Sequence, residues 1–448
     1  MRQVQTLSTG GVLLLGLTMM VAACSGQPAD QPATSAGGET TESTETGAGV
    51  EPVTLTYIHP HAGAYTDAIE MFEASHPGVT IEEQAIPFNE MITQVQARLG
   101  SGDDSLDLIA VDPPRLGNMV LQKFLDPVDD SGATAEKVSK VGLDSVTWEG
   151  QQYAYPIWTS VNFLFYNKAA LDKAGIEYPS DDPADRMTWE EVVADATAVQ
   201  DAGGADYGLG IEQIDRYYAL QPLLMSMGAD PGLGGDDDIE VDVTGDKWVE
   251  FGNWYAQIHE SGLAPRGIDA SQMPDTFGAG QVAYFLAAPL RITVFQESSV
   301  ADGWGIAPHP YFEGGDVVTP TDSWAIGVSA YSKHKELAHE FAQFMTLDLE
   351  GMTSVSANLN LPPVNQEAYP VYLERMVALV PDALGNMEAI ITDDSENYAA
   401  HRPSSVGYVE FETAMNKAFS DIRNGTDVVT TLQSTQDNLE RQLAKYAK

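Results

Sequence analysis

The sequence predicts an α/β protein built as two lobes, and three observations carry that prediction. Residues 53–111 run through β-rich and helical segments in the order β-α-β-α-β, the pattern of an open parallel sheet with helices on both faces. The chain has 448 residues, more than a single hydrophobic core ordinarily organises. Its hydrophobic fraction of 43% is enough to fill two cores, which separates the body from a disordered chain.

The N-terminus comes before any of this. Met1-Arg2, an apolar run from Gly11 to Ala23 and then Cys24 describe a secretory signal peptide over 1–23. The run is shorter than the roughly 20 residues of a spanning helix. Val21-Ala22-Ala23-Cys24 resembles the bacterial lipobox, in which the cysteine is lipidated after cleavage, and Cys24 is the only cysteine in the chain. Residues 24–50 are Ser, Thr, Gly, Pro, Ala and Glu with almost nothing to bury, so they read as a tether reaching roughly 30 Å. The expected location is the extracytoplasmic face of the cell membrane, held there by lipid.

The first strand is Val53 to Ile58, ending in His59-Pro60-His61. A helix over Thr66–Ser75 follows, with Ala68, Met71 and Phe72 at helical spacing, and Pro77-Gly78 stops it. Val79 to Glu82 is a second strand, Phe88 to Leu99 a second helix and Leu106 to Val111 a buried strand. Ligands of such sheets collect at the carboxyl ends of strands, here His59 to Ala62 and Asp112 to Arg115. Thr188-Trp189-Glu190-Glu191 opens a later helix as a capping box, Tyr207 to Ile211 is a short strand and Tyr217 to Met227 a helix. Asp236-Asp237-Asp238 reads as a solvated loop, since the alternating spacing of a calcium loop is missing. The C-terminal part, Glu336 to Met345 and Phe411 to Lys448, is mainly amphipathic helix.

Composition excludes several functions. Lys and Arg number 22 against 66 Asp and Glu, a net charge of −44 that repels nucleic acid and anionic membrane surfaces. One cysteine leaves no intramolecular disulfide and no Cys-built zinc site. The chain contains no G-x-S-x-G elbow, P-loop, HExxH or dinucleotide-binding glycine fingerprint. His59-Pro60-His61 keeps a metal reading open beside solute contact and loop packing.

One block then resembles a family. Gly150 to Pro156, Phe165-Tyr166-Asn167-Lys168, Lys173-Ala174-Gly175-Ile176 and Thr188-Trp189-Glu190-Glu191 follow the order of the family 1 extracellular solute-binding proteins of ABC importers. Phe72 to Glu82, Phe277 to Ala283, Trp304 to Pro308 and Trp324 to Ile326 extend the likeness over residues 51–448. The resemblance implies a two-lobed, type II periplasmic-binding-protein-like clamshell with the solute in the cleft. It implies a first lobe of 51–158 plus 322–348 and a second of 159–321 plus 349–448, with crossings at Ala154 to Trp158 and Val317 to Trp324. The implied function is a receptor that delivers a sugar or oligosaccharide to the membrane-spanning permease subunits. It works as a monomer, with no cofactor and no chemical step; the alternatives are another polar solute (polyol, sugar phosphate, osmolyte) or a secreted glycosidase.

Against the maltose-binding branch, Arg115 matches a ligand-site arginine, but Pro114 replaces an acidic residue. Ser160 stands at a binding glutamate and Leu290 at a stacking tryptophan, so maltose itself is not the expected ligand. Aromatic faces stack on pyranose C–H surfaces and charged side chains bind hydroxyl edges. On that chemistry the expected contacts are His59, His61, Asp112, Arg115, Trp158, Ser160, Tyr218, Arg291, Asp322, Trp324 and Arg402, with Glu212 and Asp215 beside them.

Overall fold

The computed structural model describes residues 52–234, 239–301 and 303–447. The signal segment, Cys24, the tether and the Asp236-Asp237-Asp238 run lie outside the described residues.

The described residues begin with β1 (Val53–His59), α1 (Thr66–Ser75), β2 (Val79–Ala85), α2 (Phe88–Gly100) and β3 (Leu108–Val111). β1 pairs in parallel with both β2 and β3, as a β-α-β-α-β unit requires. The chain then crosses on β4 (Tyr155–Ser160) into β5 (Phe163–Asn167). The second lobe takes α3 (Trp189–Asp201), β6 (Tyr207–Ile211), α4 (Tyr217–Ser226), α5 (Asp246–Glu260), β7 (Val282–Ala287) and β8 (Trp304–Ala307). β9 (Asp322–Val328) brings the chain back to the first sheet. Then come α6 (Lys335–Leu347), α7 (Leu349–Leu359), α8 (Tyr369–Leu379), α9 (Tyr408–Arg423) and α10 (Val428–Leu443).

The first sheet has the order β2-β1-β3-β9-β4 and the second β8-β5-β7-β6. The first is parallel only over its opening three strands, since β9 runs antiparallel to both β3 and β4. The chain leaves the lobe on β4 and returns on β9, so these neighbours point in opposite directions. The capping box at α3 forms as read: Thr188 Oγ1 accepts from the Glu191 amide at 3.2 Å, and Glu191 Oε2 accepts from the Thr188 amide at 2.8 Å.

Each sheet organises its own core. In the first, Leu55, Tyr57, Ile109 and Val111 meet Phe72, Met91, Phe341 and Met345 from the helices. Each such side chain contributes about 1.5–3 kcal/mol by leaving water. Met352 and Val355 of α7, then Val364 and Ala368, join the same core. α7 thus lays its apolar stripe against the first sheet's core. The second sheet is covered on both faces. One carries Trp189, Tyr255, Met415, Phe419 and Leu432, and the other Phe277, Phe295, Tyr372, Met376 and Ile390.

Candidate functional site

β4 and β9 lie side by side where the chain passes between lobes, with Trp158 opposite Trp324 and Ser160 opposite Asp322. Strand alternation puts Trp158 and Ser160 on one face, and Asp322 and Trp324 with them. His61 stands edge-on to both indoles, at 5.0 Å from Trp158 and 4.6 Å from Trp324. Phe88, the first residue of α2, stands edge-on to Trp324 at 5.6 Å.

The two tryptophans therefore form one wall instead of two platforms flanking a solute. Their rings are 6.3 Å apart with an interplanar angle of 33°, and Trp158 is only 2% exposed. Trp324 and His61 are half-buried and keep part of their surfaces open. His59 drops out of the contact set, because its ring is fully buried between Tyr57 and Tyr65 with Nε2 3.0 Å from Glu83 Oε1. Burial lowers His59 to about 3, and burial with the neighbouring His59 lowers His61 to about 3, so both imidazoles are neutral. No group of three or more His, Cys, Asp or Glu placed to hold a metal occurs among the described residues.

Beside the aromatic wall, charges from both lobes meet. Asp112 follows β3 directly, and Arg115 lies one turn on, with Nε donating to Asp112 Oδ2 at 3.1 Å. From the second lobe, Arg402 Nη2 donates to Asp112 Oδ1 at 2.7 Å. Arg115 Nη2 in turn donates to Glu412 of α9, which also accepts from Arg216 at 3.4 Å and from Tyr408 at 3.3 Å. Arg115 and Arg216 lie over the Phe88 ring at 5.2 and 5.3 Å, and Arg402 lies over Tyr218 at 5.3 Å. Burial pushes the Asp112 carboxyl up, but Arg402 and Arg115 outweigh it and hold it below the usual carboxylate range.

The second lobe contributes a further pair. Glu212, after β6, accepts from Arg291 Nε at 2.6 Å and from the Ala288 amide at 3.2 Å. Tyr218 donates to Asn162 Oδ1 at 3.2 Å. Asp215 is taken by Tyr255 at 3.1 Å and Arg423 at 2.9 Å, so it belongs to the packing of that lobe. Leu290, after β7, packs against the first sheet's core.

Asp322 sits among these groups without a side-chain hydrogen bond to any described residue. Burial raises it to about 6, against the pull of Arg402 and with Asp112 and Glu212 adding to the rise. Trp158 Nε1, Ser160 Oγ, Arg216 Nε and Arg402 Nε are buried with no hydrogen-bond partner among the described residues. Unpaired buried polar groups are costly. A cavity of about 540 Å³ bounded by Lys140, Thr159, Pro363, Tyr369 and Glu396 lies behind this wall, since Thr159 points to the opposite face of β4.

The structure thus brings together His61, Asp112, Arg115, Trp158, Ser160, Tyr218, Arg291, Asp322, Trp324 and Arg402. Sequence reasoning missed Phe88, Arg216, Tyr408 and Glu412. Glu412 carried a readable signal: it falls on the apolar stripe of α9 with Tyr408, Phe411, Met415 and Phe419.

Residues 59–348 match the family model described as bacterial extracellular solute-binding protein. A putative binding protein of Brucella abortus is 26% identical over 75% of this chain and 83% of its own length. The mannitol-binding protein of Pseudomonas aeruginosa is 22% identical over 80% of this chain and 82% of its own. Among solved structures, the GacH receptor of Streptomyces glaucescens, determined unliganded and with acarbose, has a TM-score of 0.74 at 22% identity. It covers 89% of this chain and 100% of its own, and the likeness is one of fold.

Proposed function

Since the chain belongs to the bacterial extracellular solute-binding protein family, we propose that it is the receptor of an ABC importer that takes up a sugar or oligosaccharide. The solute lies between the lobes and is handed to the permease when they part. The observation that carries this reading is the pairing, at one seam, of half-buried aromatic faces with unsatisfied buried donors and the Asp322 carboxylate. A sugar offers the complement, with C–H faces for Trp324 and His61 and hydroxyl edges for Asp322, Ser160 and the Trp158 N–H. The mannitol-binding relative supports extending the solute class to polyols, which present the same hydroxyl chemistry. Trp324, Asp322 and Tyr218 would make the main contacts, with Asp112, Arg115 and Arg402 fixing the lobes around them.

Lipidation of Cys24 would keep the receptor, as a monomer, on the outer face of the membrane, with the tether letting the lobes reach the permease. No step of bond making or breaking enters this account. Calorimetric titration of the purified protein with mono- and disaccharides, oligosaccharides and polyols tests it, beside hydrolysis assays on chromogenic glycosides. Saturable binding without turnover is the expected result. Turnover, or no binding across the series, would sink the reading.

A further inference from the structure

The four arginines at the seam are already neutralised from within the protein. Arg115 and Arg402 are held by Asp112 at 3.1 and 2.7 Å, Arg216 by Glu412 at 3.4 Å and Arg291 by Glu212 at 2.6 Å. With Asp322 the set holds four carboxylates against four guanidiniums, and the charges cancel. Glu412 is 2% exposed and Glu212 4%, so neither is a surface charge that salt screens away. The donors still lacking partners at the seam are the neutral Trp158 N–H and Ser160 O–H, suited to hydroxyls, and the Nε–H of Arg216 and Arg402, whose charges Glu412 and Asp112 already balance.

Resting on the receptor reading above, we propose that Glu212 and Glu412 are charge-selectivity residues that exclude anionic solutes by occupying the arginines a phosphate or carboxylate would need. A sugar phosphate entering this seam must displace a buried carboxylate from its guanidinium or lie unpaired beside Asp322, and both are unfavourable. A neutral sugar faces neither obstacle. Neither glutamate has to touch the solute for this, because each acts through the arginine it holds.

The test uses matched probes: glucose with glucose 6-phosphate, mannitol with mannitol 1-phosphate and glycerol with glycerol 3-phosphate. Wild type should bind a neutral member at least about 100-fold more tightly than its phosphorylated partner. Glu412→Gln and Glu212→Gln should each narrow that ratio by about tenfold or more, by raising affinity for the phosphorylated probe. A merely structural role would weaken both members alike. Glu212→Gln, at the half-buried Arg291, keeps the test decisive if Glu412→Gln does not fold. The proposal is overturned if wild type binds a phosphorylated probe as tightly as its neutral partner, or if both folded variants leave the ratio unchanged. Absence of binding by every neutral probe here and by every member of the calorimetric series above would overturn the receptor reading itself, a result distinguishable because no ratio then exists.

Discussion

Arg402 Nη2 lies 2.7 Å from Asp112 Oδ1, joining the segment before α9 to the end of a strand in the other lobe. The pair is buried and shares Asp112 with Arg115, so it fixes how the two lobes meet beside the aromatic wall. Breaking a buried pair from one side leaves the other charge uncompensated, at a cost of about 3–5 kcal/mol. Arg402→Met should therefore lower the midpoint of chemical denaturation clearly, while Asp112→Asn with Arg402→Met recovers much of the loss. Losses of Arg402→Met and Asp112→Asn that add in the double variant would mean that the pair is not coupled.

Asp322 predicts a pH dependence. Its folded value, raised to about 6 by burial, lies above the ordinary carboxylate value, so the folded protein takes up a proton before the unfolded chain does. The contribution of Asp322 to stability is therefore unfavourable above about pH 6 and is relieved as pH falls towards the unfolded value. Binding has the opposite sense if the carboxylate accepts sugar hydroxyls. Affinity should fall about tenfold between pH 7.5 and pH 5, and Asp322→Asn should be weaker at every pH and flat across that range. A pH-independent wild-type Kd contradicts this role.

The two tryptophans should behave differently. Trp324→Ala removes a half-buried stacking face and should weaken sugar binding by about 2–4 kcal/mol, combining lost burial with lost aromatic contact. That is on the order of 30- to 1,000-fold in Kd. Trp158, nearly fully buried, should cost the fold about 3–5 kcal/mol when cut to Ala. Fluorescence titration and thermal melting separate the two effects, and an unchanged Kd for a folded Trp324→Ala would remove it from the site.

Cys24→Ser should release the protein from the membrane fraction without changing its melting temperature, because the cysteine precedes the first strand. Membrane retention equal to wild type would contradict lipidation at Cys24.

Much of this fold is legible in the sequence because it is written locally. Apolar spacing places the helix at Ala68 and Phe72, and the capping box at Thr188 marks where a later helix starts. Strand direction is not local, since the period of two in β9 is the same whether it runs with β3 or against it. At the site, Asp112 and Arg115 follow from their place at a strand's carboxyl end, but Glu412 is 297 residues from Arg115 and nothing in either segment announces the other. His59 shows the converse limit: ending a strand on the ligand side does not say whether a ring turns to the cleft or to the core, and here Tyr57 and Tyr65 enclose it.

A neutral sugar or polyol is expected to bind at the seam of β4 and β9. Calorimetric titration of wild type and an Asp322→Ala, Trp324→Ala double variant with the tightest neutral ligand tests it most directly. The account predicts saturable one-to-one binding by wild type and loss of at least about 100-fold in affinity by a double variant that remains folded. Binding of equal strength to both proteins would place the solute elsewhere and contradict it.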